Sequence, residues 1–325
     1  MKKWIFFGLT ALLLAGGLLG LVFFHDVQQP PAPTTEATTS QPASEAPITV
    51  PTVATEPTAP AFDASLLSAR HAFVYEPAAD TLHFTRGDQQ EAISPASLTK
   101  LMTAFVAMRH LDPKATVAVG YEAKMIAKDS SIAAVSPGTV LEVEMILQGM
   151  LMQSGNDAAY VLAVAAGRAI AENPSLDAQA ALDIFMEEVN RQLKGNGILN
   201  THFVTPDGYD AEGHQTTAED LLKITKLAMT NPLILRYCAM EEAVVTYLSG
   251  QNYTWKNTNF LLRQEFEDFY NPYATGLKTG STSKAGACVI ATFEDGDRLL
   301  VIGILGCETV EQRFQDAQTL FEFYR

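Results

Sequence analysis

Hydrophobic and polar positions follow three rhythms along the chain. From Trp4 to Phe24 a run of 21 residues carries no charge and is mostly apolar. As a helix it spans roughly 30 Å, about the thickness of a hydrocarbon core. From His25 to Ala61 the apolar rhythm stops: the stretch has eight prolines, eight threonines and four acidic residues, and neither lysine nor arginine. Such a segment cannot bury enough apolar area to offset its ordering entropy, and it reads as an extended linker. From residue 62 onward the pattern is that of a packed domain.

Within 62–325, Arg70–Tyr75 and Thr81–Phe84 read as short strands joined by a turn over Glu76–Asp80. A helix is predicted from Ser97, because Pro95 lies just upstream and Leu98, Leu101, Met102, Phe105 and Val106 follow at helical spacing. Leu141–Leu151, Ala158–Ala171, Ala180–Leu193, Thr217–Met229 and Val310–Tyr324 are predicted helices too. Near the end, apolar runs at Ala287–Phe293 and Arg298–Leu305 flank Glu294-Asp295-Gly296-Asp297, a hairpin signal. That fold pairs Phe293 with Arg298 and sets Cys288 near Gly303. Helices in the middle with strands from both ends predict an α+β fold, an antiparallel sheet with a helical lobe.

Composition narrows the possibilities. The 325 residues are 47% hydrophobic and 18% charged, which excludes disorder of the whole chain. The formal net charge of -15 has the wrong sign for a general nucleic-acid binder, so no nucleic-acid partner is expected. Cys238, Cys288 and Cys307 are too few for a disulfide framework and are expected to be small buried hydrophobes. The six histidines show no H-E-x-x-H or similar pair, so no metal site is expected. Lys2 and Lys3 ahead of the apolar run favour a cytoplasmic amino end and an exported domain. The expected organisation is a signal-anchor over 1–24, with a cleaved signal peptide as the alternative, then a linker over 25–61 and one domain over 62–325.

Three motifs carry the chemistry. Ser97-Leu98-Thr99-Lys100 sets a serine and a lysine on one helical face at a helix start, where a lysine of lowered pKa can serve as base. Backbone N–H groups there point at a developing oxyanion. Ser281-Thr282-Ser283-Lys284 repeats the pattern without the helical stripe. Ser154-Gly155-Asn156 lies between two helical runs, where glycine allows a turn that leaves a hydroxyl and an amide facing a cleft. Lys278-Thr279-Gly280 suits a strand that docks an extended peptide ending in a carboxylate; the alternative is a solvated edge-strand lysine.

In this order the motifs resemble the serine penicillin-binding proteins and β-lactamases. The flanks narrow the resemblance to the low-molecular-weight D-alanyl-D-alanine carboxypeptidases. They are Ser94-Pro95-Ala96 before the first motif, Asp157-Ala158-Ala159 after the second, Pro206-Asp207-Gly208, His214 to Leu221, and Gly276-Leu277 before the third. The resemblance implies an antiparallel sheet flanked by helices with an all-helical lobe. It implies no cofactor, a peptidoglycan stem peptide as substrate, and β-lactams as covalent ligands. Carried over, Ser97 is the acylated nucleophile and Lys100 its base, with the pKa of Lys100 depressed by burial and by Lys278. Ser154 and Asn156 serve proton relay and positioning. Lys278 and Thr279 bind the terminal carboxylate, next to Gly280, and the N–H groups of Ser97 and Ser281 form the oxyanion hole.

Many relatives add a second β-rich domain and a carboxy-terminal anchor. The sequence ends at Arg325, just after its last predicted helix, so membrane attachment is expected at the amino end. Ser281 stands where some relatives have histidine. The alternatives are a β-lactamase, for which Glu172 has the wrong spacing, and an endopeptidase or transpeptidase sharing the acyl-enzyme. A non-catalytic receptor finds no cytoplasmic part to signal through.

Overall fold

The two ends of the domain meet in one sheet. In the computed structural model, which describes residues 61–247 and 249–325, β1 (His71–Glu76) pairs with β2 (Thr81–Arg86) on one side and β9 (Arg298–Cys307) on the other. β8 (Gly286–Asp295) and β7 (Ala274–Thr282) complete an antiparallel sheet of order β2-β1-β9-β8-β7, with β7 at an edge. The expected anchor over 1–24 and the linker up to residue 60 lie outside the described residues. No helix among the described residues is long and apolar enough to cross a membrane.

The sheet is buried on both faces, which is why β8 and β9 read as continuous apolar runs. Ala72 and Val74 of β1 join α7 (Val310–Tyr324) through Phe314, Ala317 and Phe321. Phe73 and Tyr75 point the other way, into the larger core shared with the helices. Those helices are α1 (Thr99–Ala107), α2 (Val143–Met152), α3 (Asn156–Ile170), α4 (Ala178–Gly195), α5 (Ala218–Met229) and α6 (Pro232–Ala239). Thr309 closes a capping box at the start of α7, and Thr217 caps α5. The small pairs β3 (Thr116–Ala118) with β4 (Val140–Glu142), and β5 (Glu242–Thr246) with β6 (Asn252–Lys256), have no counterpart in the hydropathy reading, nor has α6.

Three expectations are corrected. Leu141 belongs to β4 and the helix begins at Val143, because the chain first pairs with β3. Ser97 sits in a 3-10 turn, Ala96–Leu98, and α1 starts at Thr99. The terminal hairpin turns on two residues, with Asp295 opposite Arg298 and Phe293 opposite Leu300. Gly296, at φ +61°, supplies the left-handed residue such a turn demands. Ile290, not Cys288, therefore faces Gly303, and a bulge sets Ala287 opposite Cys307. Cys288 and Cys307 pack into different faces of the sheet, and all three cysteines are free and buried.

Candidate active site

The nucleophile turn is strained and tightly held. Ala96 adopts φ +47°, a left-handed conformation that costs a side-chain-bearing residue roughly 1–2 kcal/mol. Its carbonyl accepts the Thr99 hydroxyl at 2.9 Å. Thr99 in turn meets His214 Nε2 at 3.0 Å, while His214 Nδ1 accepts the Val204 N–H at 3.0 Å. That acceptor at Nδ1 assigns the proton to Nε2, so His214 is a neutral donor to Thr99. Burial holds its pKa down at about 4. Through Thr99, His214 braces the residue before Ser97.

Lys100 lies directly behind Ser97 and is completely buried. Its Nζ is 2.7 Å from Ser97 Oγ, 2.8 Å from Asn156 Oδ1 and 2.7 Å from the Asp207 carbonyl. Asn156 Oδ1 and the Asp207 carbonyl only accept. A neutral amine has two N–H groups and one lone pair, so those two partners take the N–H groups. The lone pair is left facing Ser97, the one neighbour with a proton to give. Burial lowers the Lys100 pKa to about 8, against the pull of Asp207 and Asp157.

Of the two expected causes, burial leads for Lys100, and the coupling with Lys278 is felt at Lys278. Lys278 is itself 1% exposed, and its pKa falls well below the usual lysine range through burial first and then the Lys100 charge. Two buried ammoniums facing each other favour loss of one proton from the pair. Burial also overturns the solvated edge-lysine alternative.

The Ser154-Gly155-Asn156 segment sets its amide against Lys100 and leaves its hydroxyl unbonded. Asn156 opens α3; its Nδ2 donates to Ser130 Oγ at 2.9 Å. Ser154, at φ +55° and buried, accepts Ser131 Oγ at its carbonyl, 2.7 Å away. Among the described residues its own hydroxyl makes no hydrogen bond. On β7, Lys278 Nζ donates to the Thr279 carbonyl at 3.0 Å, and the Thr279 and Thr258 hydroxyls meet at 2.6 Å. A Cβ on Gly280 would stand 3.0 Å from the Ser97 backbone N, closer than ordinary contact, so a side chain there would press on the nucleophile turn. The strand backbone thus abuts the nucleophile turn.

A cleft of about 170 Å³ has Ser97, Asn156, Ser130, Ser281 and Asp210 on its walls, whereas Ser154, Lys278 and Thr279, expected at the same site, are not among the residues that line it. Ser97, Lys100 and Asn156 are bonded together, Gly280 touches the Ser97 amide, and Ser281 shares the cleft wall. The Ser281–Lys284 repeat ends a strand and begins no helix.

Two further residues escaped the sequence reading. Arg313 of α7 is buried; its Nη1 donates to the Gly280 carbonyl at 3.2 Å, Ser281 Oγ at 2.9 Å and the Cys288 carbonyl at 3.3 Å. Burial lowers its pKa to about 10. The available signal was an arginine on the apolar face of a helix, in line with Ala317 and Leu320. Asp210 accepts Ser94 Oγ at 2.8 Å, Thr282 Oγ1 at 2.9 Å and the Lys284 N–H at 3.2 Å. It ties the segment before Ser97 to the end of β7, a tertiary arrangement with no local signal.

Known proteins resemble this chain in sequence and fold. A family profile described as D-alanyl-D-alanine carboxypeptidase matches residues 58–309. The D-alanyl-D-alanine carboxypeptidase DacD of Salmonella typhimurium is 31% identical over 252 residues, covering 74% of this chain and 58% of the relative, so the chain spans little more than half of that protein. The D-alanyl-D-alanine carboxypeptidase of Streptomyces sp. (strain K15) is 30% identical, covering 71% of this chain and 78% of the relative. Among solved structures, the Streptomyces K15 DD-transpeptidase superposes with a TM-score of 0.71 at 26% identity, covering 83% of this chain and 98% of that one. The ampicillin-bound penicillin-binding protein D2 of Listeria monocytogenes gives 0.64 at 28% identity, covering 79% and 98%.

Proposed function

The chain belongs to the D-alanyl-D-alanine carboxypeptidase family, and from that premise we propose that it removes the terminal D-Ala from peptidoglycan stem peptides through an acyl-enzyme on Ser97. The observation that carries the reading is the triple contact of Lys100 with Ser97, Asn156 and the Asp207 carbonyl. Only Ser97 among the three partners can surrender a proton.

Lys100 takes the Ser97 proton while Oγ attacks the penultimate D-Ala carbonyl, and the Ser97 and Ser281 amides receive the oxyanion. The leaving D-Ala amine takes the proton from Lys100 by way of Ser154, whose otherwise unbonded hydroxyl is available for relay. Water then hydrolyses the ester, with Lys100 again as base. Lys278, Thr279 and the Arg313–Ser281 pair receive the terminal carboxylate. A bound carboxylate favours the charged form of Lys278, reversing the effect of burial. β-Lactams acylate the same serine, a reading supported by the ampicillin-bound relative.

The enzyme works on the outer side of the membrane, held by the apolar run over 1–24; Lys2 and Lys3 ahead of that run support this orientation. Transpeptidation is the second reading, supported by the relative solved as a DD-transpeptidase. Labelling with a fluorescent penicillin tests the nucleophile: wild type is labelled and Ser97→Ala is not, and equal labelling refutes the assignment. Mass spectrometry of a pentapeptide after incubation tests the reaction. Loss of one alanine without cross-linked product supports hydrolysis, and a cross-linked product supports the second reading. Rapid nitrocefin turnover favours a β-lactamase instead.

A further inference from the structure

Two carboxylates stand near the Lys100 ammonium, and the fold uses them differently. Asp157, in the first turn of α3, accepts the backbone N–H groups of Ala133, Val135 and Ala158, each at 2.8 Å. Both of its oxygens are occupied, and its charge is answered by three amide dipoles that hold the loop beside Ser130 and Ser131. Asp207 is only 1% exposed, yet its Oδ1 accepts a single N–H, from Tyr209 at 3.0 Å. Its Oδ2 is buried with no hydrogen-bond partner among the described residues. The backbone carbonyl of the same residue holds Lys100 Nζ at 2.7 Å. A buried carboxylate oxygen without a donor is destabilising, so stability alone gives no reason for this one.

We propose that Asp207 is a positioning residue for the proton on Lys100, its carboxylate stabilising the ammonium that forms when Lys100 deprotonates Ser97. This rests on the acyl-enzyme reading above. As the bond from Ser97 Oγ to the substrate carbonyl carbon forms, the proton moves from Oγ to Nζ. Positive charge appears at Nζ and negative charge at the carbonyl oxygen. The backbone amides answer the second charge, and Asp207 answers the first. The proton then leaves Nζ for the departing amine, and Lys100 returns to neutral. A carboxylate tied up by donors, like that of Asp157, has less field left to offer.

The other charged or titratable groups facing Lys100 do not supply this. Lys278 on β7 repels a second ammonium. Tyr160 on α3 is kept neutral by burial and by the Asp207 charge, and His214, behind Thr99, is neutral as well. Tyr209, on the outer side of Asp207, keeps its phenol proton through its hydrogen bond to Asp129. Asp207 and Asp157 both pull the Lys100 pKa back up against burial, Asp207 the more strongly, and of the two only Asp207 keeps a carboxylate oxygen without a hydrogen-bond donor among the described residues.

The test is the second-order rate of acylation by a fluorescent penicillin, followed against pH in the full chain. It compares wild type with Asp207→Asn, and Asp207→Glu with Asp207→Gln, a pair matched in size that differs in charge. The wild-type rate rises through a limb near pH 8. In the Asn and Gln variants the limb moves down by ~1 pH unit and the plateau falls about threefold, because a weaker base needs less alkali to be free and removes the proton more slowly. The Glu variant keeps the limb near its wild-type position. A limb that stays put in the neutral variants, or moves equally in Glu and Gln, overturns the assignment. Should Asp207→Asn fail to fold, the Glu and Gln pair decides. Wild type that is never labelled at Ser97 is a different failure, and it brings down the acyl-enzyme reading itself.

Discussion

Gly208 carries a sharp prediction because it meets the nucleophile turn backbone to backbone. At φ +83° a Cβ placed there would stand 1.9 Å from the Ala96 carbonyl oxygen, 2.5 Å from the Ala96 carbonyl carbon and 2.7 Å from Thr99 Oγ1. Ordinary contact begins at 3.4 Å, so Gly208→Ala must open the gap by 3.4 − 1.9 = 1.5 Å. Neither side yields freely. Ala96 is pinned through Thr99 and His214, and Gly208 follows Asp207, whose carbonyl holds Lys100. Either movement pulls Ser97 and Lys100 out of their 2.7 Å contact. A displacement of that size lowers acylation by about 100-fold. Left-handed strain adds ~1–2 kcal/mol of instability and the overpacking ~1–3 kcal/mol more.

Gly213, in the same loop at φ +75°, has open space where its Cβ would be. Gly213→Ala therefore bears the strain without the collision, and its acylation rate stays at the wild-type level. Labelling rates with a fluorescent penicillin, measured beside thermal unfolding, read both effects. A Gly208→Ala enzyme that acylates within about threefold of wild type refutes the claim that this contact sets the geometry of the nucleophile.

Two more predictions concern the braces around the site. His214 stays neutral in the folded chain down to about pH 4, whereas in the unfolded chain it takes up a proton below about 6.5. The unfolded state thus binds more protons between those values, and stability falls as pH drops through the window, by up to ~3 kcal/mol. Urea unfolding at several pH values shows this slope in wild type and a shallower one in His214→Gln; equal slopes contradict the assignment. Asp210→Ala releases Ser94, Thr282 and the Lys284 amide together. It lowers stability by ~1–3 kcal/mol and acylation about tenfold, with penicillin affinity little changed, and an unaltered acylation rate counts against the tie.

What the sequence could say by itself was whatever depends on near neighbours along the chain. Helical spacing after Ser97 put the serine and lysine on one face, alternation and apolar runs marked the strands, and burial of the cysteines followed from their number and setting. The terminal hairpin was found too, but its register slipped, because the register depends on a two-residue turn that leaves Glu294 and Asp295 inside the strand. Only the tertiary structure made Lys100 a base. Its acceptors come from Asn156 and Asp207, 56 and 107 residues away in sequence, and its lowered pKa comes from loss of water, which no run of residues specifies. Arg313, Asp210 and the unpartnered oxygen of Asp207 were hidden for the same reason. Hydrogen bonding and desolvation act through space, over separations that hydrophobic periodicity does not record.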